Sequence, residues 1–304
     1  MPKLDYGQRP VSAHCRLRRI GGALVAVCTL ASILVAPVMA QAGQGGRRLA
    51  LLIGVGTFLD STFNSLTYSR NDVEAMRKWL TSPQGGGFQA GDVTVLLDKS
   101  ATRAAIVRQA QRLAAQAGPE DLVLLYFSTH GFTTTDRRVG IISYDTRATG
   151  RLDANGGPIV YRDQALTRDD LDRFLDGLPA QRRVVIIDVC YSGQLAGEQR
   201  GQGPVEHTLQ ADKLANGPEK ITMILASSLG SERAWESQEF KSSIFTYNLL
   251  KGLKQSNGDL LAAFNLACKE TERQSRTEKG ICQTPYLTGQ PPGGKFFLSP
   301  PRAG

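Results

Sequence analysis

The chain has 304 residues, a formal net charge of +8 and a hydrophobic content of 41%. That length suits one large domain or two small ones. Despite the positive charge, no run of Lys and Arg with interleaved aromatic residues is present, which argues against nucleic-acid binding. No Cys/His cluster has the spacing of zinc ligands.

The first part of the chain, residues 1–40, has the pattern of a secretory signal peptide. Three arginines within 16–19 precede an uncharged stretch over 20–35, and Val38-Met39-Ala40 offers small residues suited to cleavage. An uncleaved signal anchor is the alternative, although the stretch is short for a span of about 20 apolar residues. We therefore expect residues 41–304 to form an exported domain, periplasmic or secreted, with no stable membrane association after cleavage.

Short apolar runs alternate with amphipathic segments along the rest of the chain. The predicted strands are, in chain order, Arg48–Ile53, Val93–Leu97, Leu122–Phe127, Val184–Ile187, Ile221–Leu225 and Phe296–Leu298. The predicted helices between and after them are Asn71–Leu80, Thr102–Ala117, a short helix behind Thr167, Ser243–Lys254 and Asp259–Arg276. This alternation predicts an α/β fold with about six strands, mostly parallel, and helices on both faces.

The segment Gln194–Lys220 lacks this periodicity. It is rich in glycine, proline and polar residues and is predicted to be an exposed loop. His207 within it is expected to be a solvated loop residue.

Cys15 and Cys28 lie in the leader, which leaves three cysteines in the domain. Cys268 and Cys282 could form a disulfide in an oxidising compartment, with Cys190 as the odd free thiol. The alternative is that Cys268 is simply a buried helix residue, and the sequence does not decide between the two.

Two predicted strands run directly into residues that can do nucleophilic chemistry. One leads into Ser128-Thr129-His130-Gly131, and the next leads into Asp188-Val189-Cys190-Tyr191-Ser192-Gly193. The carboxyl ends of parallel strands share one edge of a sheet, with neighbouring strands ~4.8 Å apart, and ligands bind there. His130 could therefore take the proton from the Cys190 thiol, which is needed because the thiolate is the nucleophile.

Other features of these turns favour catalysis over the usual role of a lone cysteine as a small buried hydrophobe. Backbone N–H groups of Gly131 and Cys190 are candidates for binding an oxyanion. Asp188 is unusual at the end of a buried strand, where a carboxylate needs a partner. No third residue that would orient His130 is apparent, so a dyad is expected.

Other enzyme classes lack their motifs. There is no Gly-x-Ser-x-Gly elbow of a serine hydrolase. Gly54-x-Gly56 is not followed by the third glycine of a dinucleotide site, and no phosphate-binding loop is present.

The motifs resemble those of the caspase-like cysteine peptidases, especially the metacaspase and bacterial orthocaspase branch. The similar stretches occur in family order from about Leu49 to Leu298: Ala50–Gly54, Leu66–Asp72, Ser128–Gly131, Asp188–Gly193, Phe245-Thr246 and Gln283–Pro285. The resemblance implies a caspase-hemoglobinase-like three-layer sandwich and a cysteine endopeptidase, with His130 as base and Cys190 as nucleophile.

The resemblance also implies an acidic pocket that accepts Arg or Lys before the scissile bond, built from Asp72, Ser128 and Asp188. Two carboxylates would favour a cation, and a guanidinium could be bound in bidentate fashion. Helix capping is the alternative role for Asp72. Tyr68-Ser69 and Tyr191 depart from the residues common in the family, which affects the expected depth of the pocket and access to it.

Some relatives require calcium, and Asp169 and Asp170 match part of that pattern. Gly197 stands where another acid is expected, and a calcium site wants six or more oxygens. Helix capping by Asp170, in a capping box with Thr167, is the alternative. We therefore expect no required cofactor, with calcium at these two residues as the less favoured case.

The expected function is cleavage of protein or peptide substrates after Arg or Lys. The alternative is a catalytically silent module of the same fold that binds basic peptides; a third and weaker hypothesis is a hydrolase or transferase acting on a non-peptide acyl group. Arg200, Lys213 and Lys220 in the predicted loop are candidate sites of self-cleavage.

Overall fold

A single central sheet of six strands organises the domain. The computed structural model describes residues 46–154, 156–190, 195, 220–289 and 291–300. The strands of this sheet are β1 (Arg48–Gly54), β2 (Val93–Leu97), β3 (Leu122–Ser128), β9 (Arg182–Asp188), β10 (Ile221–Ala226) and β13 (Tyr286–Thr288). They lie in the order β13-β10-β9-β3-β1-β2, and all neighbouring pairs are parallel except β10 with β13.

Within the described ranges, five α-helices of nine or more residues cover the two faces of the sheet: α1 (Ser69–Thr81), α2 (Arg103–Gln116), α3 (Arg168–Asp176), α4 (Ile244–Gln255) and α5 (Leu260–Lys279). Successive strand residues point to opposite faces, so Leu49 and Leu51 belong to the apolar core with α2 and α3. Ala50 and Leu52 belong to the second core with α1, α4 and α5. Both faces are buried, which explains the continuous apolar runs and confirms the predicted three-layer α/β fold.

The helices begin where the sequence indicates. Thr102 accepts a hydrogen bond from the Ala105 N–H at 3.2 Å, and Ser243 accepts one from the Thr246 N–H at 2.9 Å. Thr167 and Asp170 form the predicted capping box of α3. Asp259 likewise caps α5. Each side chain satisfies N–H groups that have no partner within the first helical turn.

The predicted closing strand Phe296–Leu298 is wrong. The sixth strand is β13, which lies ten residues before the predicted one in the chain and pairs antiparallel with β10. Phe296 and Leu298 are buried in the core, and Phe297 makes only an isolated bridge to Asp259. A short apolar run buries equally well as a strand or as irregular chain, so its composition does not decide which one forms.

Short strands between β3 and β9 were not predicted. Gly131–Thr133 (β4), Val139–Ile141 (β5) and Leu166–Thr167 (β8) form a small sheet, and Ala148–Leu152 (β6) pairs with Pro158–Val160 (β7) as a hairpin. Segments of two to five residues carry too little periodicity to be recognised. These strands between β3 and β9 form the structure that follows His130. Later in the chain, Glu236–Ser237 (β11) pairs with Ser242–Ser243 (β12) in a separate antiparallel pair.

Several predictions concern residues outside the described part of the chain. The leader (1–40) lies entirely outside it, and so does most of the predicted loop. Leu195 is the part of that loop before Lys220 that the structure describes, and it is buried in the apolar core with α3. The predicted exposure is therefore wrong at this position, because burial of the leucine side chain in the core is favourable. Among the described residues, no helix has the length and hydropathy needed to cross a bilayer.

Candidate active site

The two candidate catalytic residues lie two positions beyond paired residues of the central sheet. Ser128 at the end of β3 is in register with Asp188 at the end of β9. Beyond them the Thr129 N–H donates to the Asp188 carbonyl at 3.4 Å, and the Ser227 hydroxyl donates to the Val189 carbonyl at 3.2 Å. His130 and Cys190 line the same cleft, whose volume is about 440 Å³. The prediction that neighbouring strand ends bring them together is therefore correct.

The His130 ring is oriented by a main-chain carbonyl. Its Nε2 lies 2.8 Å from the carbonyl oxygen of Asn64. A carbonyl can only accept, so Nε2 carries a proton, and in the neutral ring Nδ1 is the nitrogen free to accept one. The sequence indicates no third residue that would orient His130. A backbone carbonyl can do so in any residue, so it cannot be recognised from the side-chain types in the sequence.

Aromatic rings surround the imidazole. Phe58 stacks on His130 with ring centroids 5.2 Å apart, and Phe132 lies at the same distance on a tilted plane. Burial lowers the pKa of His130, although the contact with Asn64 opposes this shift. The ring is therefore neutral at physiological pH and can act as a base.

Cys190 is a free, half-buried thiol. Burial raises the pKa of Cys190, and the nearby Asp188 adds to this shift, whereas the Ala234 carbonyl contact and Arg233 oppose it. In the resting state the site therefore holds a thiol and a neutral imidazole rather than an ion pair. Formation of the thiolate has to be coupled to proton transfer to a base.

Gly131 is required by the packing of the two strand ends. A Cβ atom at this position would lie 2.3 Å from the Cys190 carbonyl oxygen and 3.0 Å from Val189 Cγ2. The backbone of Cys190 thus occupies the space that a side chain at position 131 would need. The roles of the Gly131 and Cys190 N–H groups toward an oxyanion stay predictions.

Asp72 lies at the floor of the cleft and is almost fully buried. Its carboxylate accepts hydrogen bonds from the Ser128 hydroxyl at 3.0 Å, from the Ser243 N–H at 2.9 Å and from the Ser242 hydroxyl. Asp72 does not cap α1, which begins after Tyr68 without a side-chain cap. Burial and the neighbouring Asp188 raise the pKa of Asp72 to about 7.

Asp188 is the second acid of the floor. It accepts hydrogen bonds from the Thr246 hydroxyl at 2.6 Å and from the Ser243 hydroxyl, and burial raises its pKa. Within the described ranges neither Asp188 nor Asp72 has an ion pair with Lys or Arg. Asp72, Ser128 and Asp188 thus lie together as predicted, and only neutral donors hold the two buried carboxyl groups.

Glu236 is an acidic residue of the cleft that the sequence did not single out. Its carboxylate accepts hydrogen bonds from the N–H groups of Tyr68 at 2.6 Å and of Thr67 at 3.0 Å. Glu236 thereby positions the Thr67-Tyr68 segment, which lines the cleft. Gln283, part of a late motif, supports the adjacent wall: it accepts from the Trp235 N–H and donates to the Ser227 carbonyl. These contacts join segments far apart in the sequence, so no local pattern reveals them.

A second cleft of about 250 Å³ is also lined by the candidate pair. Its walls include Phe132 and the hairpin residues Asp153 and Pro158. His130, Cys190 and Arg233 line both clefts. The two clefts therefore adjoin at the candidate pair.

Asp169 and Asp170 do not fit a calcium site. Asp170 accepts from the Thr167 N–H and hydroxyl and pairs with Arg162 at 3.1 Å and Arg173 at 2.6 Å. Burial opposes ionisation of Asp170, yet these donors lower its pKa. Asp169 pairs with Arg138. The carboxylate oxygens are engaged by guanidinium groups, and the described part of the chain contains no group of three or more potential ligands suited to a metal ion.

Cys268 and Cys282 are free thiols in this structure. Cys268 is half buried on α5 against the second core, in agreement with the alternative of a helix residue. Burial and Glu272 raise the pKa of Cys268 to about 12.

Comparison with known proteins shows the class of protein. The family described as "Caspase domain" matches residues 47–297. Metacaspase-1 of Saccharomyces cerevisiae is 30% identical over 157 residues, which cover 49% of this chain and 34% of that protein. Metacaspase-1 of Kluyveromyces lactis is 36% identical over 157 residues with the same coverage. The chain thus spans about a third of the length of these curated relatives.

Solved structures share the fold. Caspase-1 from Spodoptera frugiperda has a TM-score of 0.52 at 16% identity, over 80% of this chain and 86% of that chain. Protein GSU0716 from Geobacter sulfurreducens has a TM-score of 0.56 at 17% identity, over 83% of this chain and 98% of that chain. The chain belongs to the caspase-domain family of cysteine-type peptidases, and the predicted resemblance is confirmed.

Proposed function

We propose that this chain is a cysteine endopeptidase that cleaves proteins or peptides after Arg or Lys, with Cys190 as nucleophile and His130 as base. The observation that carries the proposal is the pair of buried carboxyl groups, Asp72 and Asp188, in the cleft that also contains Cys190 and His130. Neither carboxyl group has a cationic partner among the residues that the structure describes. A protein keeps such groups at a cost, and a cationic side chain of the substrate is the partner that offsets it.

Binding of a basic side chain changes the protonation of the floor. Without substrate, burial raises the pKa of both acids, and burial together with the neighbouring Asp188 raises the pKa of Asp72 to about 7. A guanidinium or ammonium group nearby favours the ionised forms and lowers these pKa values. The substrate cation is thus exchanged for a proton, which disfavours neutral side chains and repels Asp or Glu.

The chemical step begins from a neutral thiol and a neutral imidazole. The Cys190 sulfur attacks the carbonyl carbon while its proton passes to Nδ1 of His130, and the Asn64 carbonyl stabilises the imidazolium through Nε2–H. The N–H groups of Gly131 and Cys190 donate to the oxyanion. His130 then protonates the leaving amine, the C–N bond breaks, and a thioester remains that water hydrolyses.

The second cleft accommodates the part of the substrate that follows the scissile bond. The reaction uses only the chain's own residues and needs no cofactor, since the acids proposed for calcium are paired with arginines.

We further propose that the domain acts after export. Of the candidate self-cleavage sites, Arg200 and Lys213 lie outside the described residues, and Lys220 is half buried with its ammonium on the Leu178 carbonyl. Lys220 is therefore the least suited of the three.

The decisive test is turnover of fluorogenic peptides that end in Arg, Lys or Asp, by the unchanged chain and by Cys190→Ala, with calcium and with a chelator. We expect Cys190-dependent cleavage after Arg and Lys but not after Asp, with no need for calcium. Cleavage after Asp would overturn the assignment of the pocket.

Absence of any Cys190-dependent cleavage, together with retained binding of Arg peptides, would favour the silent binding module. Slow alkylation of Cys190 by iodoacetamide does not favour that alternative, because burial keeps the resting thiol protonated.

A further inference from the structure

A crevice separate from the active site lies between α2 and α3, with a volume of about 330 Å³. Its floor is the central sheet, where Leu51, Leu125 and Phe127 contribute apolar side chains. Its walls are apolar residues of the two helices: Ile106, Val107, Ala110, Leu171 and Phe174. The crevice thus resembles the mostly apolar concave sites that bind small molecules.

One polar group at this crevice lacks a partner. Arg103, the first residue of α2, lines the crevice, and its Nε is buried without a hydrogen bond to any described residue. Its nearest carboxylate, Asp170, lies 3.7 Å from Nη2. Asp170 already accepts from Thr167, Arg162 and Arg173, so it has little capacity left for Arg103. A buried N–H donor without an acceptor is unfavourable, and an acceptor supplied by a ligand would relieve this.

The surrounding charge favours an anion. The ion-pair network at the mouth joins four guanidinium groups to three carboxylates: Arg103, Arg138, Arg162 and Arg173 with Asp136, Asp169 and Asp170. The network therefore has one positive charge in excess. Arginine also offers two N–H groups in a plane that matches a carboxylate.

We propose that this crevice binds a small apolar molecule with one carboxylate group, such as a medium-chain fatty acid. The carboxylate pairs with Arg103 at the mouth, and the apolar body contacts Leu125, Phe127 and Phe174. The volume limits the ligand to roughly ten non-hydrogen atoms, taking about 30 Å³ for each as for a water molecule in the liquid. The sequence motifs and the proposed peptidase reaction do not involve this site.

Octanoate is the probe for this proposal, with octylammonium and octan-1-ol as matched compounds. Titration calorimetry and thermal unfolding use the Cys190→Ala chain, so the result does not depend on peptidase activity. We expect octanoate to bind at one site and to raise the melting temperature, and octylammonium not to bind. Octan-1-ol should bind at least tenfold more weakly than octanoate.

Two variants and one control variant locate the binding. Arg103→Gln should weaken octanoate binding at least tenfold, whereas Arg108→Gln, on the exposed side of the same helix, should leave it unchanged. Val107→Phe, which narrows the crevice and keeps Arg103, should also weaken binding. Equal binding of octanoate and octylammonium, unchanged affinity in Arg103→Gln, or no binding of octanoate at millimolar concentration would each overturn the proposal.

Discussion

Two pairs of acidic residues in this molecule have opposite surroundings. Asp72 and Asp188 are buried at the floor of the candidate active site and are held by serine and threonine hydroxyls and one N–H group. Asp169 and Asp170 lie at the start of α3 and are held by arginines. The same residue type therefore has raised pKa values in one pair, whereas the pKa of Asp170 is lowered.

The difference separates a binding site from a structural element. The carboxylates of Asp169 and Asp170 already pair with arginines of the protein, so they have little remaining capacity to bind a cation. The hydroxyl-bound pair is held by fixed dipoles and has no counter-charge among the described residues, so an incoming cation can take the place of the bound proton and supply that charge. The presence of two neighbouring acidic residues does not distinguish a cation-binding site from a structural ion-pair network. The groups that contact their carboxylates distinguish the two.

The largest effect expected from this comparison is on cleavage of basic substrates. Asp188→Asn removes one buried charge that faces the substrate cation, and loss of one partner of such a pair costs roughly 3 kcal/mol. We therefore expect kcat/KM for an Arg peptide to fall by about 100-fold or more. Asp169→Asn is the matched control and should change it by less than about twofold. Equal losses in the two variants would show that the effect is structural.

Asp72 and Asp170 should make stability depend on pH in opposite directions. The pKa of Asp72 is raised to about 7 in the folded chain, so below this pH the folded state keeps a proton that the unfolded chain releases above about pH 4. The free energy of unfolding therefore falls as pH rises through this window. Asp170, whose pKa is lowered, contributes stability above about pH 4 that is lost at lower pH.

Thermal unfolding of variants in the Cys190→Ala chain checks this. At about pH 8, Asp72→Asn should unfold at a higher temperature than its parent and Asp170→Asn at a lower one, each by about 2–4 °C for a change on the order of 1 kcal/mol. The Asp72→Asn difference should shrink as the pH falls from about 7 toward 4. The Asp170→Asn difference should persist to about pH 4 and shrink only below it. Asp163→Asn, at an exposed position, serves as control. Shifts of the same sign in the two variants would contradict the contrast.

A smaller effect is expected at the rim of the cleft. Glu236→Gln keeps one acceptor but weakens the hold on the Thr67 and Tyr68 N–H groups, each bond contributing about 1 kcal/mol. We expect KM for Arg peptides to rise roughly three- to tenfold with little change in kcat. Glu239→Gln, an exposed neighbour, should have no effect, and an equal fall in kcat would show instead that Glu236 acts in the chemical step.

The smallest effect is expected from calcium. A cation bound at 100 times its Kd stabilises a protein by about 2.7 kcal/mol, which shifts the melting temperature by several degrees. Because arginines engage Asp169 and Asp170, we expect a shift below about 1 °C on adding about 1 mM calcium. A larger shift that disappears in Asp169→Asn would show that calcium displaces the arginines.

The sequence predicted the strands that carry the site because these strands are buried on both faces. Continuous apolar runs such as Leu122–Phe127 and Val184–Ile187 are recognisable without any partner, and the polar turn after each run marks its carboxyl end. The sixth strand cannot be recognised by such an apolar run. Tyr286–Thr288 is an edge strand of three residues, and Phe296–Leu298, which forms no strand of the sheet, is the more apolar run.

The sequence by itself thus determined the α/β layers, the helix caps and the meeting of His130 and Cys190 at one sheet edge, because these follow from local periodicity and from the geometry of parallel strands. Only the tertiary structure decided the state of these groups. The Asn64 carbonyl on His130, the hydroxyls on Asp72 and Asp188 and the arginines on Asp169 and Asp170 come mostly from distant segments. Ionisation depends on burial and on such neighbours, and a linear pattern of residues contains neither.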